Sequence, residues 1–93
     1  MSEGLTIYHD EKAHRFEAQV EGAAAYLAYL ELGQQTLDIY RVFVPGTLRR
    51  RGIAAALTEH ALAWAKRMDY QVIPSCSYVE RYMQQQSEGG AAD

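Results

Sequence analysis

The sequence predicts an α+β domain with a mixed, mostly antiparallel sheet and two helices. Three observations carry that expectation. The first half of the chain is a run of short segments in which apolar and polar residues alternate between turn residues, the pattern of half-buried strands joined by hairpins. Residues 36–73 then read strand, loop, helix, strand, and two strands joined through a helix run parallel. The helix of that unit carries Ile53, Leu57, Ala61, Trp64 and Met68 at helical spacing.

In order, Leu5 to Tyr8 is a short strand, and His9 to His14 is a polar turn leading back into Arg15 to Val20. Phe16, Ala18 and Val20 alternate there with charged or polar residues, so the pair forms a hairpin. Glu21-Gly22 is another turn. Ala23 to Leu32 is rich enough in alanine for a helix, but its shortness and the alternation of Tyr26, Ala28 and Leu30 with Leu27 and Tyr29 favour a strand. After Gly33-Gln34-Gln35 comes Thr36 to Val44. In it Leu37 and Ile39 share one face and Val42 and Val44 the other, a slip of one residue near Tyr40-Arg41 that means a strand buried on both faces or a β-bulge.

Pro45 and Gly46 stop that strand, and a helix runs from about Gly52 to Met68 with Lys66 and Arg67 in its last turn, where cations complement the carbonyl end of the helix dipole. Asp69 turns the chain into the strand Tyr70 to Ile73, stopped by Pro74. Ser77-x-x-Glu80 fits a capping box for a second helix, with Val79, Tyr82, Met83 and Gln86 at helical spacing. Residues 1–86 are therefore expected to form one domain, and 87–93, with two glycines and two alanines, a disordered C-terminal tail.

With 93 residues the chain has room for one modest core. No apolar run approaches the roughly 18 residues of a membrane span. Met1-Ser2-Glu3-Gly4 lacks the basic start and apolar stretch of a secretory signal, so the expected location is cytoplasmic. A net charge of −3 and a pI near 5.5 argue against a nucleic-acid partner, which calls for a broad basic surface. The one cysteine, Cys76, permits no internal disulfide, and the three histidines form no metal-ligand pattern.

Positive charge is local instead. Of nine Lys and Arg, three are consecutive, Arg49-Arg50-Arg51, immediately before Gly52 and the long helix. A helix N-terminus leaves its first amides without partners and carries about half a positive charge, and a glycine there lets the backbone approach a ligand closely. The pattern reads as an anion site, suited to a pyrophosphate, with the amides of Arg50 to Ala54 (Ile53 between) as donors and Arg49 and Arg51 as electrostatic partners. The alternative is a solvated charged turn.

Arg49-x-x-Gly52-x-Ala54, after Val42-Phe43-Val44-Pro45, resembles the acetyl-CoA pyrophosphate loop of the GNAT superfamily of N-acetyltransferases, whose pattern is Gln/Arg-x-x-Gly-x-Gly/Ala. Ile73-Pro74-Ser75-Cys76-Ser77-Tyr78 resembles the Pro-x-Cys segment of a small single-domain GNAT-like branch. The resemblance spans about residues 5 to 86. It implies a GNAT-like fold, truncated relative to larger GNAT enzymes, and acetyl-CoA as cofactor. It also implies that the slip in the fourth strand is a bulge, at which the strand splays from its parallel neighbour so that main-chain groups of Val42, Phe43 and Val44 contact the pantetheine arm.

Two readings of Cys76 stay open. It is a small buried hydrophobe, or, at the start of a helix where thiolate is stabilised, a reactive thiol. In the GNAT arrangement it lies near the acetyl thioester and would accept the acetyl group by thioester exchange or shape the acetyl pocket. Direct transfer to an amine is the commoner GNAT route, with a tyrosine as acid for the leaving thiolate; Tyr78 and Tyr82 are the candidates, against core packing. The expected function is an acetyl-CoA-dependent N-acetyltransferase acting on an amine acceptor, small molecule or protein, that the sequence does not identify. The alternatives are a non-catalytic CoA-binding module and a nucleic-acid accessory protein. Neither oligomeric state nor pathway is legible.

Overall fold

In a computed structural model, residues 5–92 are described, with side chains to Gln86. Five strands form one sheet in the order β1-β2-β3-β4-β5, with β1 Ile7–Asp10, β2 Arg15–Val20, β3 Ala23–Gly33, β4 Thr36–Phe43 and β5 Gln71–Pro74. The first three pairings are antiparallel and β4 pairs with β5 in parallel. A short 3-10 turn, Gly46–Leu48, precedes α1, Ile53–Arg67, and α2 is Ser77–Ala92. The mixed α+β sheet with two helices is as the sequence indicates.

β1 begins two residues later than expected, because the chain pairs as far as Asp10 opposite Arg15, with His9 opposite Phe16. His9 stacks on Phe16 at 3.9 Å between ring centroids, so an imidazole expected in a turn serves as a strand residue. Ala23–Gly33 is a strand and not a helix, since its Ala25, Leu27 and Tyr29 are all buried on the core face. β2 and β3 are joined through Glu21 (φ 54°) and Gly22 (φ 81°), the two left-handed residues that a tight hairpin turn of the primed type requires.

The slip in β4 is a bulge. Ala28 pairs with Arg41 but Tyr29 with Ile39, so Tyr40 is the extra residue. One effect is to bring Val42 opposite Leu27 and Ile39 opposite Tyr29, so that Leu37, Ile39 and Val42 reach the same core face while Phe43 stays on the other. The other concerns the neighbour. β4–β5 pairing runs from Thr36↔Gln71 to Ile39↔Pro74, followed by a bond from the Cys76 amide to the Ile39 carbonyl at 3.0 Å; beyond it Tyr40–Phe43 have no β5 partner. Pro74 lies within β5, one residue past the expected end, and an edge strand tolerates a residue without an N–H.

Both helices cover one sheet face. Ile53, Leu57, Ala61 and Ala65 of α1, a strict i, i+4 series, pack with Val79 of α2 against Phe16, Leu27, Leu37 and Ile39. Met68 lies past the helix end and is exposed, so Ala65 replaces it in the expected stripe. The opposite sheet face carries Arg15 over the Tyr26 ring at 3.9 Å, with Arg41 Nε donating to Tyr26 Oη at 2.7 Å.

α2 begins one residue differently from the expected capping box. The Cys76 carbonyl accepts the Glu80 amide at 2.9 Å, which makes Cys76 the N-cap and places Ser77 in the first turn. The backbone of α2 stays helical through Ala92, beyond Ser87, where the disordered tail was expected to begin; the side chains of 87–93 lie outside the described residues. No helix among those described is long and apolar enough to cross a membrane.

Candidate functional site

Where β4 leaves β5, a groove opens between the β4 end, the loop before α1 and the first turn of α2. One lobe, about 210 Å³, is lined by Val44, Leu48, Arg49, Arg50, Gly52, Ile53, Ala54, Ala55 and Tyr78. The other, about 290 Å³, is lined by Val42, Phe43, Val44, Arg49, Ala54 and Tyr78. Val44, Arg49, Ala54 and Tyr78 are common to both, so the lobes are continuous.

The loop is held open by backbone conformations that side chains resist. Arg50 has φ 67° and Gly52 φ 77°, and Gly52 is the N-cap of α1. A glycine adopts that geometry freely, whereas an arginine does so at a cost of about 1–2 kcal/mol, which the surroundings must offset. Leu48 and Ile53, both buried, anchor the loop on either side. The first intrahelical bond runs from the Ala56 amide to the Gly52 carbonyl, so the amides of Ile53, Ala54 and Ala55 precede it; among the described residues they and the Gly52 amide donate to no acceptor. A Cβ placed on Gly52 would meet nothing within 4 Å, so it would project into the open space where a ligand could approach.

The three arginines have separate fates. Arg49 and Arg50 line the groove, and Arg49 Nε donates to the Val44 carbonyl at 3.3 Å, joining the loop to the strand end. Arg51, named in the sequence analysis as an electrostatic partner, turns away. Its Nη1 and Nη2 meet Glu21 Oε2 and Oε1 at 2.9 and 3.2 Å, and Nη2 also reaches the Thr47 carbonyl at 3.5 Å. That hydrogen-bonded pairing pulls the Glu21 carboxyl below its ordinary value and pushes the Arg51 guanidinium up. Arg51 lines neither lobe.

Among the chemical candidates Tyr78 is in both lobes. Burial first, then proximity to Cys76, raises the pKa of its phenol, so it holds its proton through the neutral range. Tyr82, with ring centroid 6.4 Å from that of Tyr78, lines neither lobe and is raised by burial and by Glu59 of α1. Cys76 is half-buried, packs against the core and lines neither lobe. Leu48 and Ala55 line the groove without having been named from sequence. A buried leucine inside a basic, glycine-containing loop was the available signal for the first.

A second cluster lies away from this groove. His9 Nε2 and Tyr29 Oη are 2.7 Å apart, and the His9 ring meets Trp64 edge-on at 4.6 Å. Tyr29 also lies near His14 and Phe16, and Trp64 near Tyr70. Burial lowers the His9 pKa and pushes Tyr29 up to about 12, with Glu31 adding to the latter. Among the described residues no group of three or more His, Cys, Asp or Glu could hold a metal ion.

Comparison with known proteins agrees with the fold. A family model described as GCN5-related N-acetyl-transferase matches residues 15–92. Protein NATD1 of Xenopus tropicalis is 29% identical over 86 residues, covering 90% of this chain and 79% of that protein. Protein NATD1 of Homo sapiens is 28% identical over 83 residues, covering 87% and 74%. In fold, the chain resembles the NMR solution structure of a GCN5-like protein from Staphylococcus aureus, with a TM-score of 0.72 at 20% identity over 92% of this chain and 84% of that one.

Proposed function

Since the chain belongs to the GCN5-related N-acetyltransferase family, we propose that the groove between β4 and the N-termini of α1 and α2 binds acetyl-CoA and presents its acetyl group to an amine acceptor. The observation that carries this reading is the row of amides at Gly52–Ala55 without acceptors, flanked by Arg49 and Arg50. Such a row suits a pyrophosphate in donor geometry, charge and backbone access. The residues fit the rest of the ligand too. Val42, Phe43 and Val44 offer an apolar wall with main-chain groups free of β5, and Leu48 and Ile53 form an apolar floor.

When bound, acetyl-CoA supplies an activated thioester. The amides of Gly52–Ala55 with Arg49 and Arg50 would hold the phosphates and the wall at Val42–Val44 would take the remainder of the molecule, so that its encounter with an acceptor would become a positioned one. Tyr78, which lines both lobes and keeps its proton through the neutral range, would give that proton to a leaving thiolate. Tyr82 supports the Tyr78 ring and takes no proton in this scheme. Cys76 caps α2, packs at the core edge and lines neither lobe, which supports direct transfer to the amine over an acetyl-cysteine. Cytoplasmic action on a soluble or protein-borne amine is part of the same proposal.

A second reading, a CoA-binding module without turnover, is favoured by one observation: no carboxylate or imidazole lines either lobe to take a proton from the acceptor. With no base among the described lining residues, the enzymatic reading requires an acceptor that arrives as free amine or brings its own base. Calorimetric titration with acetyl-CoA and desulfo-CoA tests ligand binding, and thiol release in the presence of a polyamine and peptide amine panel tests transfer. Saturable binding of both ligands is expected; no binding at millimolar ligand overturns both readings, and binding without thiol release selects the second.

A further inference from the structure

The loop amides are useful only if the loop keeps a shape that Arg50, in a left-handed conformation, does not favour. Buried anchors hold its ends, Leu48 and Ile53, but 49–52 lie on the surface. The contact that reaches the middle of this stretch from another element is the two-pronged pair of Arg51 with Glu21, thirty residues away on the β2–β3 turn. That turn is closed by strand pairing: Glu21 and Gly22 occupy the two left-handed positions of a tight hairpin whose strands pair up to Val20↔Ala23. Arg51 completes the strap through the Thr47 carbonyl, which ties both sides of the loop to one guanidinium. We infer that Glu21 is a positioning residue for the anion loop, acting through Arg51 to hold the amides of Gly52–Ala55 in line for a phosphate ligand.

The inference rests on the acetyl-CoA reading of the groove and adds a residue to it. Its sign is opposite to that of simple electrostatics. A carboxylate beside an anion site repels the ligand, and it also occupies a cation that could otherwise turn toward the phosphates. On charge alone, Glu21→Gln should therefore tighten CoA binding. If Glu21 holds the loop in shape, the same change weakens binding, because the ligand must then order the loop.

Calorimetric titration of the full chain with CoA, run on wild type, Glu21→Gln, Arg51→Gln and the double variant, separates these cases. Glu21→Gln is expected to bind about two- to fivefold more weakly, the scale of what an exposed two-pronged ion pair contributes. In the Arg51→Gln background the same change is expected to have no further effect, since its route is gone. Equal or tighter binding by Glu21→Gln overturns the inference, as does an undiminished loss in the Arg51→Gln background. Failure of wild type to bind CoA overturns the acetyl-CoA reading instead. A ligand-free measurement then decides on the strap itself: in Glu21→Gln the ¹⁵N order parameters of Arg50–Gly52 should fall while those of the β3–β4 turn at Gln34 and Gln35 stay fixed. Unchanged order at Arg50–Gly52 contradicts it.

Discussion

The two chemically rich regions of this molecule lie toward opposite ends of α1 and differ in what they leave unsatisfied. Near its C-terminal half, Trp64 joins His9, Phe16 and Tyr29 in a cluster dense in rings and titratable groups, yet closed: the His9 imidazole and the Tyr29 hydroxyl satisfy each other at 2.7 Å. At the N-terminus there are fewer reactive side chains, but Gly52–Ala55 present donors without acceptors beside two arginines. A buried polar group with an internal partner contributes to stability, whereas a donor left free in a groove is available to a ligand. On the proposed reading the first region serves folding and the second serves binding.

The largest test of that division is a pair of substitutions. Phe16→Ala, at a fully buried ring touching His9, Tyr29 and Trp64, should cost about 3–5 kcal/mol of unfolding free energy in urea titration, while the fraction still folded binds CoA normally. Gly52→Glu should do the reverse. It places a side chain and a negative charge at φ 77° in the groove and should abolish CoA binding, roughly a hundredfold or more, with a stability loss of only about 1–2 kcal/mol. If Phe16→Ala removed binding from folded protein, the two regions would not be separate.

Next in size is the chemistry. Tyr78→Phe should lower the rate of acetyl transfer about a hundredfold with CoA affinity preserved, and Tyr82→Phe should leave both nearly unchanged. Equal losses in the two variants would remove Tyr78 from its role.

Stability against pH probes the closed cluster. The folded-state pKa of His9 is lowered by burial, so its contribution is present above about 6.5 and is lost as pH falls from there toward the folded value. Tyr29 runs the other way: its phenol is raised from 10.0 to about 12, so its contribution is intact below 10 and is lost as pH rises toward 12. Thermal midpoints of Tyr29→Phe should lack the alkaline component and fall at neutral pH by the worth of one hydrogen bond, about 1 kcal/mol. The smallest effect concerns Thr58, whose buried hydroxyl has no partner among the described residues: Thr58→Val should stabilise by about 0.5 kcal/mol in the same assay.

What the sequence disclosed follows the range of the forces involved. The one-residue slip near Tyr40 was legible in the apolar phase of β4, because pleat and burial are local patterns, but its being a bulge and not a strand buried on both faces was implied only by the family resemblance. The glycine-containing loop that runs into α1 was legible too, since Gly52, the arginines and the helix that follows are neighbours in the chain. The fate of each arginine was not. Arg51 is drawn away by Glu21 across thirty residues, and nothing in Arg49-Arg50-Arg51 distinguishes its members. His9 was read as a turn residue because its polarity is local, whereas its place in β1 comes from stacking on Phe16 of the neighbouring strand. Tyr78 and Tyr82 were equivalent by spacing, and only the direction of α2 against the groove separates them.

The most direct test of the division is a ¹⁵N-labelled titration with CoA, read residue by residue. The amides of Gly52, Ile53, Ala54 and Ala55 should show the largest shifts, with smaller ones along Val42–Val44, while His9, Phe16 and Tyr29 stay in place. Shifts centred on the His9 cluster, or spread evenly over the chain, would contradict the assignment of the ligand to the loop at the start of α1.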